Sequence, residues 1–77
     1  NKEKHGVSLT DAALIDWEAA LIWQDTRQTY GETRMIALAP IRERLYCAVY
    51  VDREDNRRII SLRKANYREV IQYANQD

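Results

Sequence analysis

Seventy-seven residues, 45% of them hydrophobic and including two Trp and five Tyr, describe one small globular domain over residues 1–77. Twelve cations balance twelve anions, which excludes a chain that binds nucleic acid over its whole surface, and no apolar run approaches the roughly 20 residues that would cross a bilayer. The single cysteine, Cys47, excludes an internal disulfide framework and fits a reducing cytoplasm. No signal peptide is expected, and the start at Asn1 leaves room for a segment removed upstream.

Charge is unevenly spread along this neutral chain. Residues 1–30 carry a net −2 and residues 31–56 a net −1, whereas residues 57–77 carry +3. The stretch RRIISLRKANYRE, residues 57–69, gathers five cations and one anion around its apolar positions. Such a local excess points to a confined anion site. The plainer alternative is a solvated strand end whose cations pair with nearby acids.

In chain order, Ser8 to Asp11 reads as a helix start, with Ser8 as N-cap and Asp11 favourably placed in the first turn. Leu9, Ala13, Trp17 and Ala20 recur at helical spacing and predict an amphipathic helix of about three turns. Leu21, Ile22 and Trp23 form a short strand, ended by a polar loop over residues 24–31, where Gly31 suits a turn needing positive φ. A longer strand occupies residues 33–39 and stops at Pro40. The next, over residues 45–51, alternates Leu45, Cys47, Val49 and Val51 against Tyr46, Ala48 and Tyr50. Polar residues 52–56 close a hairpin onto a strand over residues 58–62. Asn66 followed by Glu69 is a capping box, and Tyr67, Val70, Ile71 and Ala74 give the helix that follows an i, i+3, i+4, i+7 stripe.

These elements predict an α+β fold: an antiparallel sheet of three to four strands, packed on one face by an N-terminal and a C-terminal helix and open on the other. Cys47, Val49, Val51, Ile60 and Leu62 are expected toward the helices. Arg57, Ile59, Ser61 and Arg63 are expected on the open face beside Tyr46 and Tyr50. The hairpin turn decides this, because one residue of register exchanges the faces of one strand relative to its neighbour.

Three blocks, KHGVSLTDAA at residues 4–13, DTRQTYGETRMIAL at residues 25–38 and RIISLRKANYREVIQY at residues 58–73, together resemble the BrnT toxins, small ribonucleases of bacterial type II toxin–antitoxin pairs. The likeness covers nearly the whole chain in order. It implies a RelE-like fold and metal-independent cleavage of RNA that arrests growth. It also implies a ribbon-helix-helix antitoxin that covers the toxin, with promoter DNA bound only through the complex of the two. This chain departs from the family in beginning at Asn1, where an aromatic and acidic strand usually precedes the Lys-His-Gly block. Leu62 also stands where a small residue is common, and Pro40 where a hairpin glycine is usual. These departures bear on sheet geometry rather than on chemistry.

Metal-free RNA cleavage takes the neighbouring 2′-OH as nucleophile, so the protein must orient it, neutralise the crowded phosphate and protonate the departing 5′ oxygen. Arginine suits the second task, since its planar fork matches two phosphate oxygens at any working pH. Arg34, Arg58, Arg63 and Lys64 are the supply, with Arg34 and Arg63 foremost; Lys64 shares the face of Arg63 only where the chain is already turning. The competing reading is that these cations rim the sheet and pair with Glu32, Glu69 or Asp52. For proton transfer His5 titrates near neutrality, and Glu32 lies two residues from Arg34 on one strand face. Against these stand a structural histidine and a plain Glu32–Arg34 ion pair.

Tyr46, Tyr50 and Tyr67 offer faces on which bases stack beside cations, against a packing role with the hydroxyl at the rim. One His and one Cys make no zinc site, residues 52–56 lack the spacing of a calcium loop, and two glycines build no phosphate loop, so neither metal nor cofactor is expected. The rival function is a non-catalytic module whose basic sheet face docks an acidic protein or DNA. Zero net charge weakens an autonomous DNA-binding role.

Overall fold

Four strands form one antiparallel sheet in sequence order: β1 Leu21–Gln24, β2 Met35–Ile41, β3 Arg44–Arg53 and β4 Asn56–Lys64. Ahead of them lie two short 3₁₀ stretches, Leu9–Leu14 and Trp17–Ala19, and after them one helix, α1, Tyr67–Ala74. The computed structural model describes residues 9–27, 29, 31–54 and 56–76. Among these, no helix is long and apolar enough to cross a membrane.

The period-two alternation of β3 sorts the core into two layers. On one face Ala39, Ala48 and Leu62 pack with Ile15, Trp17 and Tyr46. On the other Ile36, Leu38 and Cys47 pack with Leu21, Trp23, Ala65 and Tyr73. The helical segments therefore lie on opposite faces of the sheet, the N-terminal 3₁₀ turns on the Ala48 face and α1 on the Cys47 face. The expectation of two helices on one face is corrected by this. A mixed run such as Met35–Ile41, in which residues 36–39 are all buried, is what a strand covered on both sides requires.

The expected N-terminal helix is replaced by two turns broken at Ile15 and Asp16. Ile15 is buried against Ala39 and Ala48, and the backbone N–H of Asp16 donates to the Pro40 carbonyl at 3.0 Å. A continuous helix could not deliver Ile15 and Trp17 to the same sheet face, because residues two apart point nearly opposite ways. The predicted Ser8 cap lies outside the described residues. Pro40 does not end its strand either: β2 runs on to Ile41, with Pro40 opposite Leu45. The β1 pairing stops at Leu38, so the missing N–H of Pro40 falls beyond the β1 ladder, where no ladder bond is lost. Gly31 takes no left-handed conformation; that role falls to Arg42 (φ 58°) and Glu54 (φ 39°) in the two tight hairpin turns.

Register between β3 and β4 shifts at Val49/Tyr50, a bulge that splits the expected face assignment. Below the bulge Arg57 and Ile59 share the Tyr50 face, as the sequence suggests. Above it Arg63 lies opposite Cys47, Ser61 opposite Val49 and Leu62 opposite Ala48. The upper half of β4 is thus turned over relative to expectation, with Arg63 beside Cys47 rather than beside the tyrosines.

The capping box of α1 is present in full: Asn66 Oδ1 accepts from the Glu69 N–H at 2.9 Å, and the Glu69 carboxylate accepts from the Asn66 N–H at 2.9 Å. Its orientation inverts the predicted amphipathicity. Glu69 and Tyr73, one turn apart, face the sheet, and the Tyr73 hydroxyl donates to the Ala19 carbonyl at 2.6 Å. Tyr67, Val70 and Ile71 are exposed.

Candidate functional site

Three arginines are brought to the Cys47 face by strand alternation. Arg63 lies opposite Cys47 and Arg58 opposite Val51. The Asp25 N–H donates to the Arg34 carbonyl at 2.8 Å, which carries the β1–β2 ladder one step beyond Gln24 and Met35. Alternation then puts Asp25 and Arg34 on the face of Trp23 and Ile36. Asp25, Arg34, Val51 and Arg58 make one row across the sheet. Arg63 stands on the same face, two strands sideways from Arg34 and four residues farther along, roughly 10 Å by 13 Å from strand spacing and rise.

Each of these cations has acidic company. Arg63 grips Glu69 in a two-pronged fork, both N–H···O distances 2.8 Å. The bond holds the Glu69 carboxyl below its ordinary value of 4.5, more than burial raises it. Arg27 grips Asp25 in the same way, at 2.8 and 2.7 Å. Here the carboxylate is buried at 3% exposure while the guanidinium stays in solvent. The charge of Arg27 is close enough to oppose protonated Arg63. Glu32 is held by Arg53 at 3.2 and 2.8 Å, and this bond, with the fields of Arg53, Arg58 and Arg34, depresses its carboxyl. A carboxylate so stabilised in its charged form is a poor proton donor at neutral pH.

At the lower end of this face the residues after β1 and before β2 enclose a hollow of about 410 Å³. Asp25, Thr26, Thr29, Glu32, Thr33 and Arg34 line it. The half-buried Arg34 reaches this hollow; Arg63 does not line it. The two leading candidates thus share a face but not a cavity. Its lining thus sets three threonines and one guanidinium beside two carboxylates; the hydroxyls and Arg34 are the groups that could meet a phosphate oxygen.

The other candidates separate from this group. Lys64 lies opposite Tyr46, on the reverse face from Arg63, and is exposed. Tyr50 is 1% exposed, packed edge-on against Trp17 with ring centroids 5.2 Å apart, and its ring is not accessible for stacking. Tyr67 is exposed on the side of α1 turned from the sheet. His5 lies outside the described residues. Sequence reasoning missed Asp25 and Arg27; the signal was an acid at the inward-facing end of a strand, two residues before an arginine. Cys47 is buried, and burial pushes its thiol up to about 11, so it stays protonated and unreactive. Among the described residues no three His, Cys, Asp or Glu side chains come together as a metal site would need.

A family model described as the ribonuclease toxin BrnT of type II toxin–antitoxin systems matches residues 1–69. No curated protein and no solved structure matches the chain.

Proposed function

The chain belongs to the BrnT family of ribonuclease toxins, whose type II systems pair each toxin with an antitoxin, and from that premise we propose that it cleaves RNA without a metal ion on the arginine-bearing Cys47 face. The observation that carries this reading is the shared face of Arg34, Arg58 and Arg63, with Arg27 beside them. In the reaction the 2′ oxygen forms a bond to phosphorus as the bond to the 5′ oxygen breaks. The products are a 2′,3′-cyclic phosphate and a free 5′ hydroxyl. The 2′ proton leaves to solvent or a base, and the 5′ oxygen gains one.

Guanidinium groups act on the charge that grows on the phosphoryl oxygens. Every fork described above uses the same geometry a phosphate would use, so an incoming phosphodiester can take the place of Glu69 on Arg63. Arg34 and Arg58, across Val51 from each other, suit a phosphate farther along the chain. Glu32 serves by orienting Arg53 and its neighbours. Proton delivery is left to His5, the one side chain with an ordinary pKa near neutrality. Lys64 and Tyr50 have no part in this face. The antitoxin in this reading is of ribbon-helix-helix type, and promoter DNA is bound only through the complex.

Incubating purified protein with RNA in excess EDTA tests the proposal. Fragments ending in cyclic phosphate are expected, and RNA that stays intact without antitoxin present would overturn it. Arg34→Ala and Arg63→Ala should each slow cleavage while preserving the circular-dichroism spectrum.

A further inference from the structure

Helix α1 is fastened to the sheet by its polar side. Glu69 is forked to Arg63 and Tyr73 reaches the Ala19 carbonyl, while Asn66 and Glu69 close the capping box. Its apolar side faces out. Tyr67 is 79% exposed, Val70 44% and Ile71 42%, so among the described residues three of the five exposed large hydrophobic side chains sit on these eight positions. A helix of a free-standing domain turns that stripe inward. Here the polar anchors hold it in water.

The charge around the stripe has one sign. Glu69, the only acid of α1, is turned inward to Arg63. Arg68, on α1 itself, is exposed and has no ion-pair partner among the described residues. Anchors spaced i, i+3, i+4 beside an exposed arginine are what a partner helix with an apolar side and an acidic flank would meet. Three side chains over one turn fall well short of the roughly 800 Å² per partner of a standard interface, so a stable partner must also contact surface beyond the strip.

We propose that Tyr67, Val70 and Ile71 on the outer side of α1 are the seat for an amphipathic, acid-flanked helix of the antitoxin. The inference rests on the toxin reading above and adds where the antitoxin grips. Because α1 carries the carboxylate that holds Arg63, a partner seated there stands at the border of the arginine face. It silences cleavage by blocking the approach of RNA to that border.

The test uses the protein and its cognate antitoxin, with binding followed by calorimetry. Val70→Asp combined with Ile71→Asp should weaken binding at least 100-fold and leave RNA cleavage in EDTA and the melting temperature near wild type. Arg68→Glu should weaken it several-fold, with a flatter dependence on salt. Ile22→Asp, an exposed apolar position on β1, serves as the control and should bind as wild type does. Binding of the double variant within twofold of wild type overturns the proposal. So does a double variant that loses only self-association by sedimentation, which would assign the strip to a second copy. Should the double variant fail to fold, hydrogen exchange of wild-type α1 with and without antitoxin decides: added protection over residues 67–74 supports the seat, and none overturns it. Absence of RNA cleavage with antitoxin binding intact would count against the catalytic reading alone.

Discussion

Two arginines on β4 show how differently the two sheet faces use the same side chain. Arg57, on the Tyr50 face, lies against two aromatic rings, 4.4 Å from the Trp17 centroid and 4.3 Å from that of Tyr50. Asp52 holds it at 2.6 and 3.0 Å. It ties the N-terminal turns to the sheet, and replacing its partners with a phosphate would break the packing. Arg63, on the Cys47 face, is forked to a carboxylate at the rim with 41% of its side chain in solvent. Its fork lies at the accessible rim, outside the aromatic packing. A cation held against rings is a structural part; a cation paired at an accessible rim is available to a substrate.

The sharpest way to break this contrast is to remove the ring under Arg57. Tyr50→Ala should cost about 3–5 kcal/mol, comparable with the whole stability of a domain this small, and leave the chain largely unfolded by circular dichroism at 25 °C. A cooperative melt close to wild type would show that the aromatic layer carries little. Arg63→Ala should leave the fold in place and lower the cleavage rate roughly 100-fold. Arg63→Lys should restore only a part, since a point charge lacks the planar fork. Full activity of either variant would remove Arg63 from the site.

Arg57→Ala is expected to behave in the opposite sense. It should lower stability by about 1–2 kcal/mol, measured in urea, with the cleavage rate per folded molecule unchanged. A large loss of activity at constant stability would erase the distinction between the faces. The smallest effect concerns Glu69. Its folded carboxyl titrates below 4.5, so its stabilising contribution is complete above that value and is lost as pH falls through the folded pKa. Because Arg63 is partly solvated, the pair is worth about 0.5–1 kcal/mol after screening. Wild type should therefore melt slightly above Glu69→Gln at pH 7, with the gap closing as pH falls through the lowered pKa of the folded carboxyl; a gap independent of pH would mean the fork is not what stabilises.

Much of the fold can be read locally. The alternation of residues 45–51, the short β1 and the Asn66–Glu69 box each depend on neighbours a few positions apart, and each forms as its pattern indicates. The two hairpins follow from the polar turns that separate apolar runs. The site is less legible. Arg58 and Arg63 lie on one face only because the bulge at Val49/Tyr50 inserts a residue between them; without it, residues five apart would point to opposite faces. Asp25 and Arg27 acquire meaning only where the end of β1 meets the start of β2.

Sequence by itself determined the strands, the helix and its cap, and the family to which the chain belongs, since these are matters of period and local hydrogen bonding. Tertiary structure decided which side of each element faces inward. Helix α1 shows why: its apolar stripe would predict one orientation, but the Arg63–Glu69 fork and the Tyr73–Ala19 bond, joining residues 6 and 54 positions apart, hold it in the other. Only contacts between distant segments can choose between two faces that local periodicity leaves equivalent.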